Sequence, residues 1–266
     1  MKELNPKKLR KTILDFAYYG QSVHIPSAFS IVEILSTLYS KILTYSHQDP
    51  ASEKRDFFIL SKGHGVMALY ACFIELGWLN ETDIKNYFHD GSRLRGLAEA
   101  DIPGLEVSGG SLGHGLPVAT GMALGLKKRE DARKIICLVG DGEMNEGGIW
   151  EALLFAAHHK LDNLLVIVDA NQFQAMGRVE EILSLESLPD KFRSFGFDVL
   201  ECDGHESSAI ENSIQKLFSK NKKPKALIAR TLKGKGVSFI EGQNAWHYTR
   251  LTKETYEAAG KELSLA

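Results

Sequence analysis

Short apolar runs alternate with helical patterns through the second half of the chain. Runs such as 135–139 and 164–168 consist almost entirely of aliphatic residues, which is typical of parallel strands buried on both faces. Four runs predict strands, at 135–139, 164–168, 197–202 and 226–229. Apolar residues at helical spacing across 149–157 and 208–218 lie between them. The alternation predicts an α/β fold, a doubly wound parallel sheet with helices on both faces.

The first half of the chain favours helices. Apolar residues recur at helical spacing across 31–42. A second helix is expected at 66–76, ending before Gly77, and a short third helix at 82–88. We therefore expect this half to be mostly helical.

Composition and charge narrow the class of protein. A chain of 266 residues can form one large α/β domain, so we expect a single domain over 1–266. The net charge of −2 indicates neither a nucleic-acid surface nor an anionic-membrane surface. Cys72, Cys137 and Cys202 form no CxxC pair, and the lysine-rich N-terminus lacks the apolar run of a signal peptide. We expect reduced thiols and a cytoplasmic protein without a membrane partner.

The triplet Gly140-Asp141-Gly142 follows directly after a predicted strand. Two glycines let a backbone approach a bulky anion closely and donate N–H groups to it. An aspartate between them would repel a phosphate unless a divalent cation bridges the two. Taken alone, the triplet is better explained as an ordinary turn at the end of a strand.

Asn171 changes the interpretation of that triplet. It ends the next predicted strand, with 28 residues between Gly142 and Asn171, which is the length of one helix plus one strand. Such a step brings Asp141 and Asn171 side by side at one edge of the sheet. A carboxylate, an amide oxygen and a nearby backbone carbonyl are ligands that Mg²⁺ or Ca²⁺ prefers.

The stretch 140–172, GDGEMNEGGIWEALLFAAHHKLDNLLVIVDANQ, is similar to the thiamine diphosphate signature, in which GDG is followed some thirty residues later by Asn. That signature is shared with 2-oxo acid dehydrogenases and decarboxylases. Three further segments narrow the resemblance: LSKGHG at 60–65, PGLEVSGGSLGHGLPVATGMALG at 103–125, and TLKGKGVSFIE at 231–241 followed by AWH at 245–247. Over nearly its whole length the chain resembles the N-terminal part of the transketolase family, which implies a thiamine-diphosphate-binding fold.

The resemblance also implies roles for single positions. Asp141, Asn171 and the carbonyl oxygen of Phe173 match metal ligands. The other matches concern cofactor and substrate: His64 and His247 contact the diphosphate, Gly140 and Gly142 lie beside it, Gly110 and Leu112 lie beside the organic rings, Glu146 meets an acidic residue of the partner, and His24 faces the substrate. The candidate catalytic residues are His24, His64, Glu146 and His247. Glu146 also fits a simple favourable acid at a helix N-terminus.

Other polar residues have a plainer interpretation. Five histidines are taken as ordinary surface or core residues: His47, His89, His158, His159 and His205. Lys233 and Lys235 fit phosphate contacts and a flexible loop equally well.

A complete transketolase carries a pyrimidine-binding domain and a C-terminal domain as well. This sequence stops at Ala266, before either of them. The resemblance therefore implies a partner, a C-terminal transketolase subunit with the pyrimidine-binding domain, in an α2β2 assembly.

One position departs from the family pattern. Members carry a GHP tripeptide shortly before the segment that begins at Pro103, and Leu97 falls where its histidine would lie. Val23 and Ile25 likewise replace the usual glycine and proline around His24. A leucine cannot hydrogen-bond a donor hydroxyl. We expect a more apolar donor end and a changed substrate.

The implied activity is transfer of a two-carbon unit from a ketose or related donor to an aldehyde acceptor. A sugar phosphate, a nucleotide sugar or a 2-oxo acid is a candidate substrate. Two alternatives stay open at this point. One is another thiamine-diphosphate enzyme, above all an acyl-transferring synthase with a 2-oxo acid donor, and the other is a non-catalytic cofactor-binding subunit.

Overall fold

A five-stranded parallel sheet runs through the computed structural model, which describes residues 2–219 and 222–265. Its strands are β1 (Phe57–Leu60), β2 (Ile135–Gly140), β3 (Leu164–Ala170), β4 (Asp198–Asp203) and β5 (Lys225–Arg230). They lie side by side in the order β1-β2-β3-β5-β4, and every neighbouring pair is parallel. The predicted α/β fold with a parallel sheet is confirmed.

Both faces of the sheet are covered, which explains the unbroken apolar runs. All residues of β2 and β3 are buried. Because side chains alternate along a strand, Ile136 and Leu138 join the hydrophobic cluster on one face, whereas Ile135 and Val139 join the cluster on the other. A strand that is buried on both sides needs apolar residues at every position.

Helices pack on the two faces and at the ends of the strands. They are α1 (Pro6–Tyr19), α2 (Ile25–Phe29), α3 (Val32–Thr37), α4 (Val66–Leu76), α5 (Glu81–Asn86), α6 (Gly115–Lys128), α7 (Gly147–His158), α8 (Val179–Ile182), α9 (Leu188–Ser194), α10 (Ser207–Phe218) and α11 (Lys253–Leu265). Helices α1, α3, α4 and α10 contribute to one hydrophobic cluster, and α6, α7 and α9 contribute to the other. The prediction of helices on both faces is therefore confirmed.

The first half of the chain is not helical throughout. β1 was not predicted, because its four residues, FFIL, are too few to be told apart from a helical segment. The helix expected across 31–42 forms α3 and then widens into a π-helical turn at Leu38–Ile42. The helix expected at 66–76 is α4, and Gly77 ends it with φ of 79°.

Across 2–219 and 222–265, none of the helices combines the length and apolar character needed to cross a bilayer. Cys72 and Cys137 are buried, Cys202 is half-buried, and all three thiols are free.

Candidate active site

The loops that follow β1, β2 and β3 line a cavity of about 330 Å³. Parallel strands point the same way, so the loops at their carboxyl ends meet at one edge of the sheet. Eleven candidate site residues predicted from the sequence line this cavity, as does Leu97: His24, His64, Gly110, Leu112, Gly140, Asp141, Gly142, Glu146, Asn171, Phe173 and His247. A larger groove of about 640 Å³ lies along α1, α4 and α5, and none of the eleven lines it.

Asp141 and Asn171 form an acidic corner of the cavity. Gly140 of β2 pairs with Asp169 of β3, so the residues just beyond each strand are neighbours. Asp141 accepts hydrogen bonds from the backbone N–H groups of Gly142, at 2.8 Å, and Gln172. Burial and the nearby Asp169 carboxylate raise the pKa of Asp141 to about 7. A cation at this corner would relieve the cost of ionising Asp141.

Asp169 is a buried hub that sequence analysis missed. Its carboxylate accepts hydrogen bonds from the Ser30 hydroxyl, the Lys62 ammonium, the Asn171 amide nitrogen and the Thr231 hydroxyl. Burial raises the pKa of Asp169, but the Lys62 charge and these hydrogen bonds outweigh burial and hold it below the usual value. The Asn171 nitrogen is committed to Asp169 at 2.7 Å, and its oxygen accepts from the Phe173 backbone N–H at 3.1 Å. An amide oxygen has two lone pairs, so one remains for a further partner.

Three histidine rings form the opposite wall. The ring centre of His24 lies 5.3 Å from that of His64 and 5.1 Å from that of His247. Burial, together with the charges of Lys62 and Lys233, lowers the pKa of all three imidazoles, that of His247 to about 3. At neutral pH each ring is therefore uncharged and offers one N–H donor and one lone pair. Within the described part of the chain, Nδ1 of His247 is buried and has no hydrogen-bond partner.

Two buried lysines place positive charge near both the histidines and the acidic corner. Lys62 and Lys233 are each 1% exposed. Lys62 is neutralised by Asp169, whereas the Lys233 ammonium donates a long bond of 3.3 Å to the Gln174 carbonyl. Burial and the Lys62 charge lower the pKa of Lys233 to about 8. An anion in the cavity would favour the charged form of Lys233.

A second buried carboxylate ties the walls together. Glu143 accepts hydrogen bonds from the Ser61 hydroxyl after β1, from the Gly113 N–H at 2.9 Å, and from the Gly140 N–H at 3.1 Å. It thereby joins two strand ends to the glycine-rich loop. Sequence analysis singled out Glu146 instead, which lies exposed at the cavity rim with its Cβ against Gly113.

The glycine-rich loop comes close to the loop that carries His64. A Cβ added at Gly63 would lie 3.1 Å from the Cα of Gly109, so only glycines allow this approach. Gly110 has φ of 144°, a conformation that favours glycine. Leu97 lies over it, with Cδ1 3.1 Å from the position of an added Cβ.

The mouth of the cavity carries exposed apolar side chains. Leu97 is 36% exposed, and Tyr248 is 71% exposed with its ring edge-on to His24 at 5.6 Å. Tyr248 was not singled out from the sequence. Nothing in its spacing marks it, because the contact depends on how the turn Asn244–Tyr248 folds back toward α2.

The cavity thus combines oxygen ligands for a cation with neutral imidazoles, backbone N–H groups and buried ammonium groups for an anion. An anion bridged to the acidic corner by a divalent cation would satisfy both sides at once. Diphosphate groups have this chemistry.

Comparisons with known proteins point the same way. The family described as "Transketolase, thiamine diphosphate binding domain" matches residues 3–265. The chain is 41% identical over 262 residues to an apulose-4-phosphate transketolase subunit from Phocaeicola vulgatus, covering 98% of this chain and 93% of that protein. It is 37% identical over 241 residues to a 6-deoxy-6-sulfo-D-fructose transketolase subunit from Clostridium sp., covering 90% and 88%.

The fold is also similar to that of a solved transketolase. The crystal structure of transketolase from Campylobacter jejuni matches with a TM-score of 0.90 and 31% identity. The match covers 97% of this chain but 42% of that chain, so the chain spans about two fifths of the length of that enzyme.

Proposed function

This chain belongs to the transketolase family, whose thiamine diphosphate-binding domain it matches over residues 3–265, and we propose that it is the N-terminal subunit of a split transketolase. The enzyme transfers a two-carbon unit from a ketose or related donor to an aldehyde acceptor. The observation that carries the proposal is the pairing, in one cavity, of the Asp141–Asn171 corner with the neutral histidine wall.

The residues of the cavity fit a metal-bound diphosphate. Asp141, the Asn171 oxygen and the Phe173 carbonyl would hold Mg²⁺ or Ca²⁺, for which oxygen ligands are suited. Nδ1 of His247 is a buried polar atom with no hydrogen-bond partner among the described residues, and a ligand could satisfy it. Burial and the Asp169 carboxylate raise the pKa of Asp141 to about 7, and a cation bound by Asp141 would favour its ionised form.

The diphosphate end of the cofactor would be held by groups that can donate hydrogen bonds without a change in their own protonation state. His64, His247 and the backbone of Gly140 and Gly142 line the cavity beside the acidic corner, and Lys233 supplies charge behind it. Gly110 and Leu112 would lie beside the organic rings, where the glycine leaves room for close approach.

Thiamine diphosphate, when bound, supplies a carbon nucleophile and an electron sink for the two-carbon unit. His24 lies at the substrate side, where its lowered pKa leaves a neutral imidazole that can accept a proton from a substrate hydroxyl or donate one. Its unusual backbone, with φ of 66°, is anchored by the His24 N–H to the carbonyl oxygen of His247 at 3.2 Å. That bond ties the backbone of His24 to the backbone of His247.

A second polypeptide would complete the site. The Phocaeicola and Clostridium relatives are each named as one subunit of a transketolase, and this chain spans about two fifths of the Campylobacter enzyme. Glu146, Leu97 and Tyr248 are exposed at the rim, where a partner with the pyrimidine-binding domain would cover them. We infer an α2β2 assembly in the cytoplasm, with residues 1–266 as one domain.

The donor is inferred to be a modified ketose phosphate or a similar sugar. Leu97 makes the donor end apolar, and the names of the two relatives refer to apulose 4-phosphate and 6-deoxy-6-sulfo-D-fructose. Leu97 also favours the second candidate, a synthase that uses a 2-oxo acid donor. A less polar two-carbon unit has fewer hydroxyl groups that would be left without a hydrogen bond beside a leucine.

Reconstitution tests the proposal. The chain is combined with a pyrimidine-domain subunit, Mg²⁺ and thiamine diphosphate, and offered ketose phosphates and 2-oxo acids with an aldehyde acceptor. We expect two-carbon transfer from a ketose donor. Cofactor binding without transfer from any donor would favour a non-catalytic subunit, and transfer from 2-oxo acids alone would favour the synthase.

A further inference from the structure

The segment 231–236 carries Lys233 to the back of the cavity wall. The Lys233 ammonium lies 5.5 Å from the centre of the Phe173 ring and donates to the Gln174 carbonyl, and both of those residues line the cavity. A lysine has many rotamers and a buried charge is costly, so its backbone must be held firmly to keep the ammonium there.

His205 binds this segment immediately before Lys233. Nε2 of His205 lies 2.8 Å from the Leu232 backbone nitrogen, and Nδ1 lies 2.9 Å from Oε2 of Glu33. A backbone N–H can only donate, so Nε2 is the acceptor and Nδ1 carries the proton that is donated to Glu33. The two contacts fix both the tautomer and the plane of the ring.

The sheet places His205 beside Leu232. Asp203, the last residue of β4, pairs with Arg230, the last residue of β5. His205 and Leu232 each lie two positions beyond these strand ends. A Cβ at Gly204 would lie 2.4 Å from Cγ2 of Thr231, so a glycine is needed for the two turns to pack this closely.

A buried ion pair holds the part of the segment 231–236 that follows Lys233. Arg10 and Glu33 form two hydrogen bonds, and Nε of Arg10 donates to the Lys235 carbonyl at 2.7 Å. Backbone on each side of Lys233 is therefore tied to the same Glu33 cluster, once through His205 and once through Arg10. Burial raises the pKa of Glu33, but its bonds to His205 and Arg10 outweigh burial and hold it at about 2, so the cluster stays charged.

We propose that His205 is a positioning residue, which holds the backbone before Lys233 so that the lysine ammonium stays against the Phe173–Gln174 part of the cavity wall, where its charge attracts the diphosphate. This rests on the proposed function, in which the cavity holds thiamine diphosphate. His205 itself does not line the cavity wall and acts only through Leu232 and Lys233.

Two substitutions separate the contacts of His205. His205→Asn keeps an amide near the Nδ1 position, where it can still donate to Glu33, but it is too short to reach the Leu232 N–H. His205→Gln places an acceptor near the Nε2 position and restores the Leu232 contact. Both variants are polar and smaller than histidine, which avoids overpacking the site.

The measurement is the dissociation constant of thiamine diphosphate with Mg²⁺, by calorimetry on the full chain with its partner subunit. We expect His205→Asn to weaken binding roughly 10-fold, as is usual when a group that orients a ligand contact is lost, and His205→Gln to recover most of it. Turnover at saturating cofactor stays within about 2-fold, because the residue does not touch substrate.

A double-mutant cycle decides whether the effect passes through Lys233. In a Lys233→Met background, His205→Asn should weaken binding no further, whereas in the matched Lys235→Met background it should still cost about 10-fold. An equal loss in both backgrounds, or unchanged binding in His205→Asn, overturns the positioning role. Failure of the unsubstituted complex to bind thiamine diphosphate would instead overturn the proposed function as a whole.

Discussion

The pKa values of the titratable groups on the two sides of the cavity are shifted in opposite directions. At the acidic corner, burial beside Asp169 raises the pKa of Asp141 to about 7. At the histidine wall, burial and lysine charge lower the pKa of His247 to about 3. Burial and the Lys62 charge likewise lower the pKa of Lys233, which lies near both sides, to about 8. Each side holds groups whose charged forms are disfavoured without a ligand of opposite charge.

The contrast identifies the kind of ligand more sharply than either side could. A cation alone would suit Asp141 but would be repelled by Lys233, and a free anion would suit Lys233 but would be repelled by the Asp141 carboxylate. A diphosphate with its divalent cation matches both sides. The contrast also explains the neutral histidines, which can donate to phosphate oxygens without having to gain a proton.

Leaving out the second polypeptide should have the largest effect. Both charged sides lie on this chain, but the rim at Glu146 and Leu97 is exposed, and gripping the pyrimidine ring is left to the proposed partner. We expect no detectable ketol transfer by the purified chain, and steady transfer once the partner is added. A spectrophotometric transfer assay checks this, and turnover by the chain alone would falsify the inference of a split enzyme.

Breaking the acidic corner comes next. Asp141→Ala removes the ligand that neutralises the cation, and we expect Mg²⁺-dependent binding of thiamine diphosphate to weaken by about 100-fold or more. Asn171→Ala should cost about 10-fold, since it removes an uncharged ligand. Calorimetry on the reconstituted complex measures both. Asp190→Ala, an exposed carboxylate on α9, is the control, and unchanged affinity in Asp141→Ala would rule out this corner as the metal site.

Changing Leu97 at the mouth of the cavity should have a moderate effect on donor choice. Leu97→His restores a hydrogen-bonding side chain at the mouth, so kcat/KM for xylulose 5-phosphate should rise relative to a deoxy or 2-oxo acid donor by on the order of 10-fold. Competition kinetics with paired donors measures the ratio. If the unsubstituted enzyme already uses xylulose 5-phosphate efficiently and without preference, Leu97 has no role in specificity and another residue makes the contact.

The smallest expected effect is on stability. The pKa of Asp141 is about 7 in the folded chain, against an ordinary value of 3.8. Between these pH values the folded state binds more protons than the unfolded state does. The free energy of unfolding therefore falls as the pH rises and levels off above about pH 7. Asp141→Asn cannot ionise. The melting temperature of Asp141→Asn minus that of the unsubstituted apo chain should therefore be about 5 °C larger at pH 7.5 than at pH 5.

The histidines and lysines are the same in both proteins, so their own titrations cancel in that difference. Thermal melts without metal or cofactor, at the two pH values, are the measurement. A difference in melting temperature that does not change with pH would mean that Asp141 is already ionised in the apo protein.

The acidic corner could be predicted from sequence, but the hub behind it could not. Asp141 and Asn171 each come directly after an apolar run, and parallel strands bring such positions together whatever the details of packing. Asp169 accepts bonds from Ser30, Lys62 and Thr231, which lie on other elements. Its role depends on the strand order, and the place of β1 beside β2 was missed along with β1 itself.

His205 illustrates the same limit. Sequence analysis interpreted it as an ordinary histidine, since nothing near it in sequence marks a site. Its contact with Glu33 spans 172 positions, and its contact with Leu232 follows from β4 pairing with β5. Apolar runs predict that strands exist, whereas which strands are neighbours is set by how the helices between them pack.

Binding of thiamine diphosphate to the reconstituted complex, compared in Mg²⁺ and in EDTA, tests the central claim most directly. Thiamine, which lacks the diphosphate, serves as the matched ligand. The account predicts tight binding of thiamine diphosphate in Mg²⁺, binding weaker by about 100-fold in EDTA, and little binding of thiamine in either. Equal affinity with and without the divalent cation, or thiamine binding as tightly as its diphosphate, would contradict the claim that the two sides of the cavity are neutralised together by a metal diphosphate.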